Sequence, residues 1–113
     1  MSDKNKIPKT FKVSGVSFCQ TNINNLNEKD ILQMELEPTN KYDSNAIKIL
    51  NSSGEMCGYV PKKIKVGDQE LTLNLNIKNK FAKMTSKYNL VVSNIRKWDG
   101  PTGLEVVFEK KEN

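Results

Sequence analysis

The sequence contains no histidine and only two cysteines, Cys19 and Cys57. Ser–His–Asp and Cys–His catalysis need an imidazole that titrates near neutral pH, so both enzyme classes are excluded. Two cysteines without histidine cannot supply the four ligands of a usual structural zinc site. The glycine-rich phosphate loop and the dinucleotide fingerprint are absent, and the carboxylates show no recognisable catalytic spacing. We therefore expect a protein that is not an enzyme and uses no cofactor or metal.

Long hydrophobic runs are also missing. No apolar segment approaches the roughly 20 residues that span a membrane, and the N-terminal residues lack the apolar stretch of a secretory signal. We expect an intracellular protein, cytoplasmic or nuclear if the source is a eukaryote, with no membrane partner. In that reducing setting both cysteines are expected to remain thiols and to pack in the core.

The chain has 113 residues, of which 36% are hydrophobic and 27% charged, so it is expected to form one globular domain. The polar ends predict a flexible N-terminal tail at residues 1–9 and a C-terminal tail at 111–113, around a domain at 10–110. The net charge is +5, and its distribution is uneven. Residues 28–55 carry six acids and three lysines, whereas residues 62–97 carry nine bases and two acids. The second half is either an ordinary solvated surface or a surface for a polyanion.

Alternating apolar residues predict about six short strands, with a possible bulge at Gly15. The polar, Asn-rich segment 19–30 is expected to be a loop. Residues 62–85 leave two alternatives: a strand at 71–77, or a short helix over 76–84. So many strands with so little helix predict a mostly β fold, a small OB-like closed β-barrel with one or two short helices. The predicted strands are 10–18, 31–38, 46–50, 56–60, 88–95 and 104–110.

The central part of the chain resembles the HIRAN domain family. The resemblance rests on "VSGVSF", "LQMELEPTNKYDSNAIKIL" and "GEMCGYVPKK", covering residues 12 to about 63 and more loosely to 110. In the middle segment, eight residues fall in register with the family pattern E/D-P-x-N-x-Y-D-x-N-A-I. They are Glu37, Pro38, Asn40, Tyr42, Asp43, Asn45, Ala46 and Ile47.

This resemblance implies a compact OB-like barrel. Such domains occur as accessory modules of SNF2-type DNA helicases and as lone domains in bacteria and viruses. They are known for binding single-stranded DNA with a preference for a free 3′ end. The resemblance thus implies single-stranded DNA as a partner, and a role beside repair or replication proteins.

The turn that contains Tyr42 and Asp43 admits two interpretations. Its Pro, Asn and Asp residues could simply make a stable turn, with the ring covering the barrel rim. Alternatively, a rigid turn holds Tyr42 to stack on a base and Asp43 to accept a hydrogen bond from a free 3′-OH.

Four further residues are DNA-binding candidates by resemblance. Phe18 is either a second stacking ring or a core residue, and Tyr59 either lines the pocket or is an ordinary strand residue. Lys62 and Lys63 correspond to the phosphate-contacting lysine of the family, with Lys62 preferred, or are plain solvated lysines. Two departures remove contacts: Ser17 stands where an arginine can occur, and Cys19 where DNA-binding members often have a second aromatic residue.

The segment "NIRKWDGPTG" combines Arg96, Lys97 and Trp98 on a predicted hairpin. It could grip a single strand, or Trp98 could pack over the end of the barrel. The leading hypothesis is a single-stranded DNA-binding module that prefers free 3′-OH ends. The alternative is a protein-interaction adaptor that has lost DNA end recognition.

Overall fold

The computed structural model describes residues 5–112, which form a mostly β fold with eight strands and three α-helices. A short 3-10 helix, Val16–Phe18, follows the first strand. The strands are β1 (Thr10–Lys12), β2 (Ile31–Leu36), β3 (Ile47–Leu50), β4 (Met56–Tyr59), β5 (Lys63–Val66), β6 (Gln69–Thr72), β7 (Tyr88–Arg96) and β8 (Gly103–Lys110). The α-helices are α1 (Gln20–Asn24), α2 (Leu73–Asn79) and α3 (Phe81–Lys87).

Six strands form one antiparallel sheet in the order β1-β8-β7-β2-β3-β4, and β5 pairs with β6 as a separate hairpin. The strand β2 changes partner along its length. Ile31 and Leu32 pair with β7, whereas residues 33–36 pair with β3. Because β2 and β7 are antiparallel, the β2–β3 connection and the β7–β8 turn lie at opposite ends of these strands.

The sheet is not closed into a barrel, so the prediction of a closed OB-like barrel is not supported. The two edge strands meet only at an isolated bridge, in which Ser14 and Tyr59 exchange backbone hydrogen bonds of 2.9 and 2.8 Å. Closure stops there because Gly15, with φ of 73°, turns the chain into the 3-10 helix. The segment predicted as one strand at 10–18 is therefore a three-residue strand, a bridge and a helical turn.

The core combines one face of the sheet with side chains from all three helices. On β3, Ile47 and Ile49 are fully buried, as their alternation predicts. Because the sheet stays open, helical side chains complete the core. Ile23, Ile77 and Met84 belong to it. Cys57 is fully buried and Cys19 half-buried, and both are free thiols, as expected.

Two segments differ from their predicted structure. The expected loop at 19–30 contains α1, which buries Ile23 despite its polar sequence. In the ambiguous region the strand ends at Thr72, so the strand alternative for 71–77 is wrong. The helix alternative over 76–84 is right in type but wrong in its bounds, because Lys80 separates α2 from α3. Leu73 and Ile77 fit the alternation of a strand, but their spacing of four residues fits a helix equally well. They lie on the buried face of α2.

The chain before β1 contacts the domain. The backbone N–H of Phe108 donates to the carbonyl of Lys9 at 2.8 Å, and Asn76 donates to the carbonyl of Lys6 at 3.0 Å. Residues 1–4 and 113 of the expected tails lie outside the described residues. The domain limits 10–110 stay a prediction. No helix within residues 5–112 combines the length and apolar character needed to cross a bilayer.

Candidate nucleic-acid interface

The β2–β3 connection is held by side chains that substitute for backbone partners. The Asn40 side-chain carbonyl accepts hydrogen bonds from the N–H groups of Tyr42 and Asp43 at 2.9 and 3.0 Å. Asp43 in turn accepts from the N–H of Asn45 at 2.9 Å. These local bonds confirm the stable turn expected from the Asn and Asp residues. The turn leaves the Tyr42 side chain 89% exposed.

The Asp43 carboxylate is fixed on both oxygens. One oxygen accepts from the N–H of Asn45, and the other accepts from the Asn74 amide of α2 at 2.8 Å. The hydrogen bond from the Asn45 backbone is the main cause that lowers the pKa of Asp43, followed by the Asn74 bond and the nearby ammonium groups of Lys62 and Lys78. Asp43 is therefore an oriented anion that retains free lone pairs for a further donor.

A second set of hydrogen bonds, centred on Glu37, orients the Tyr59 ring. Its hydroxyl donates to the Glu37 carboxylate at 2.9 Å, and the Asn40 amide donates to the same oxygen at 2.7 Å. Lys48 lies 3.2 Å from the other carboxylate oxygen. The bonds from Asn40 and then Tyr59 lower the pKa of Glu37. This network ties the turn to strand β4, where Tyr59 lies.

A cavity of about 420 Å³ opens beside this turn, and we call it the turn cavity. Its volume falls in the range of small-molecule sites, about 300–1,000 Å³. Four predicted site residues share it, since Tyr42, Asp43, Tyr59 and Lys62 all contribute to its wall. The complete lining is Ser14, Asn40, Tyr42, Asp43, Ala46, Tyr59, Lys62 and Asn74.

Phe18 and Lys63 do not line the turn cavity. Phe18 lies at the end of the 3-10 helix with its side chain 92% exposed, so the core alternative for this residue is wrong. The Lys63 ammonium group lies 3.5 Å from the Glu70 carboxylate on the β5–β6 hairpin. Lys62 is therefore the better placed lysine of the pair, and its carbonyl accepts from the N–H of Leu73 at 2.8 Å.

Sequence reasoning misses Asn74, which lies 31 residues from Asp43 and is only 2% exposed. Its amide nitrogen donates a hydrogen bond to Asp43, while its side-chain oxygen is buried without a hydrogen-bond partner among the described residues. The structure therefore adds Asn74, from α2, to the residues that hold Asp43.

Trp98 on the β7–β8 hairpin does not line the turn cavity. The ring is 69% exposed, so it does not pack over the end of the sheet as one alternative proposed. It lies instead with Lys12, Arg96 and Lys97 around a separate surface depression. A role of this hairpin in binding stays a prediction.

We expect the free energy of unfolding to fall as the pH is lowered through the ordinary carboxyl pKa of about 4. The pKa values of Glu37 and Asp43 are lowered in the folded state, so the unfolded state takes up protons first. Their contribution is complete above the unfolded pKa and is lost as pH falls through the folded one. Urea denaturation at several acidic pH values measures it. Asp43→Asn should flatten this pH dependence, whereas Glu28→Gln, in an exposed loop, should not. If the free energy of unfolding has the same slope against pH in Asp43→Asn and in the wild type, Asp43 does not contribute to the dependence.

A family model, the HIRAN domain, matches residues 8–66. The solved HIRAN domain of human HLTF is similar in structure, with a TM-score of 0.59 and 23% sequence identity over 91% of this chain and 75% of that one. No curated protein is significantly similar to the sequence. Because the family model covers more than half of the chain, this protein belongs to the HIRAN domain family.

Proposed function

We propose that the protein is a single-stranded DNA-binding module whose turn cavity receives a free 3′-OH end, as an accessory in DNA repair or replication. Membership of the HIRAN family supports the DNA-binding part of this proposal. The observation that carries the end preference is the pairing of an exposed ring and an oriented carboxylate, Tyr42 and Asp43, on one rigid turn.

Tyr42 supplies an apolar contact that does not depend on base identity. An exposed ring stacks on any base, with about 1–3 kcal/mol per base by alanine substitution. The turn fixes the backbone of Tyr42 before the ligand arrives, so less entropy is lost on binding. Phe18, which is 92% exposed, is the second ring that we propose for a base extending beyond the cavity.

Asp43 explains why an end is preferred to an internal segment. A carboxylate repels the phosphates that flank every internal nucleotide. A terminal 3′-OH has no phosphate and donates a charge-assisted hydrogen bond to the carboxylate, which is stronger than a neutral one. The lowered pKa of Asp43 keeps this acceptor ionised at neutral pH.

Lys62 lines the turn cavity together with Asp43 and balances its negative charge. Its ammonium group is exposed and is close enough to Asp43 to lower that pKa. We assign to Lys62 the contact with the phosphate that precedes the terminal nucleotide. The neighbouring Lys63 is the second candidate for this contact. Contacts of this kind release counterions and weaken as salt rises.

The test compares oligo-dT strands, labelled at the 5′ end, that terminate in 3′-OH or 3′-phosphate. We expect the 3′-OH strand to bind about tenfold more tightly in fluorescence anisotropy, because the phosphate removes the donor and adds repulsion. In Asp43→Asn the difference should largely disappear while circular dichroism confirms folding. Equal affinities of the wild-type protein for both strands would refute the proposed end recognition.

A second candidate function is a protein-interaction adaptor without DNA end recognition. It is favoured by Cys19, where DNA-binding members often carry an aromatic residue. This side chain is half-buried against the core and offers no ring to a base. Absence of oligonucleotide binding at low salt, with the protein folded, would support the adaptor.

A further inference from the structure

A second cavity, of about 580 Å³, lies between α3, the end of the β7–β8 pair and the chain that precedes β1. We call it the lysine groove. It shares no lining residue with the turn cavity. Its lining consists of Ile7, Pro8, Lys9, Lys80, Lys83, Met84, Tyr88, Phe108, Glu109 and Lys110.

The rim of the lysine groove is strongly cationic. Its four lysines are all exposed, and none belongs to a salt bridge within residues 5–112. A single acid, Glu109, lies among the lining residues. The four lysines come from three separate segments of the chain. The positive charge therefore surrounds the opening instead of following one helix face. An anionic partner is therefore complementary to this rim.

The floor of the groove is apolar. Met84 and Phe108 are only 7% and 5% exposed, and Tyr88 meets the Phe108 ring edge-on with 6.3 Å between ring centroids. Ile7 is half-buried against the core at one end. This floor suits an inserted aliphatic or aromatic side chain.

The burial of the floor favours an acidic peptide over a nucleic-acid strand as the anionic partner. A nucleic-acid strand binds by stacking its bases on exposed ring faces. In the groove Phe108 is buried and Tyr88 is half-buried, and the exposed rings of the described chain, Phe18, Tyr42 and Trp98, do not line it. Lysine stems also extend the apolar surface while their ammonium groups reach carboxylates at the rim.

We infer that the lysine groove docks an acidic peptide segment of a partner protein, with one apolar side chain inserted between Met84 and Phe108 and flanking carboxylates paired with the rim lysines. The DNA end and this peptide occupy different surfaces. The domain can therefore hold both at once and connect a DNA end to a protein.

The experiment titrates the full chain with a fluorescein-labelled synthetic peptide in which Asp and Glu alternate with Leu and Phe. We expect saturable anisotropy at low salt, and a Gln-for-Glu, Asn-for-Asp peptide should bind at least about tenfold more weakly. The double variant Lys80→Glu/Lys83→Glu should lose about tenfold in peptide affinity. The matched charge variant Lys12→Glu/Lys65→Glu, whose lysines are exposed outside the groove, should change it by less than about threefold.

Backbone amide shifts locate the peptide without any substitution. Perturbations should concentrate at Met84, Tyr88 and residues 108–110, and a saturating 3′-OH oligo-dT should not displace the peptide. Equal losses in the two double variants, or displacement by oligo-dT, would overturn the inference. Failure of oligonucleotide binding alone would refute the proposed DNA function and leave the peptide result unaffected.

Discussion

Tyr42→Ala is expected to lower the affinity for single-stranded oligo-dT by about thirtyfold, which corresponds to about 2 kcal/mol of lost base stacking. The side chain is 89% exposed and its turn is held by the backbone N–H groups of residues 42 and 43, which alanine keeps. The free energy of unfolding should therefore change by less than about 0.5 kcal/mol. Fluorescence anisotropy and urea denaturation measure the two quantities separately.

Two variants decide whether the loss belongs to the turn cavity. Tyr42→Phe keeps the stacking ring and should remain within about threefold of the wild type. Trp98→Ala removes another exposed ring, 69% accessible and outside the turn cavity, and should cost much less than Tyr42→Ala. If Trp98→Ala weakens binding as much as Tyr42→Ala, the protein binds DNA through a dispersed surface and the assignment to the turn cavity is wrong.

The strands that sequence patterning identifies best are those with one buried face. Ile47 and Ile49 on β3 alternate with half-buried Lys48 and Leu50, and the structure follows that pattern. The prediction fails where local pattern is ambiguous. Leu73 and Ile77 fit both a period of two and a helical turn, and only tertiary packing places them on α2.

The closed barrel could not be judged from sequence, because closure depends on how two distant edges meet. Here a single glycine conformation at Gly15 ends the pairing after the bridge between Ser14 and Tyr59. Helix side chains such as Ile23 then bury the apolar face that a closed barrel would enclose.

The candidate site was predictable in part because its main residues are close in sequence. Tyr42 and Asp43 follow Asn40 in a turn whose hydrogen bonds are local, so composition alone indicates rigidity. Asn74 was not predictable, since a buried polar residue in a short apolar-looking segment gives no sign of a distant carboxylate partner. Lys62 was identified by resemblance, and its proximity to Asp43 depends on the fold.

Gly58 links the stability of the fold to the shape of the site. It lies on β4 with φ of 149°, where the segment after β1 crosses very close. A Cβ at this position would lie 2.5 Å from the carbonyl oxygen of Ser14 and 2.6 Å from a methyl group of Val13. The close crossing is what allows Ser14 to form its bridge with Tyr59, and both residues line the turn cavity.

Gly58→Ala should lower the free energy of unfolding by about 3 kcal/mol or more, because backbone strain and overpacking each cost about 1–3 kcal/mol. That is a large share of the stability of a domain, about 5–15 kcal/mol. Urea denaturation followed by circular dichroism measures the change. The variant that remains folded should also bind oligo-dT more weakly, since relief of the clash moves Ser14 away from Tyr59.

Gly54→Ala is the matched control, because it separates the clash from the backbone conformation. Gly54 has φ of 81° in the β3–β4 turn, but a Cβ there would meet no atom within 4 Å. The strain alone should cost about 1–2 kcal/mol and leave oligo-dT binding unchanged. If both alanine variants lose the same stability, the close crossing at Gly58 contributes nothing beyond strain. If Gly58→Ala binds oligo-dT as tightly as the wild type, the crossing does not determine the shape of the turn cavity.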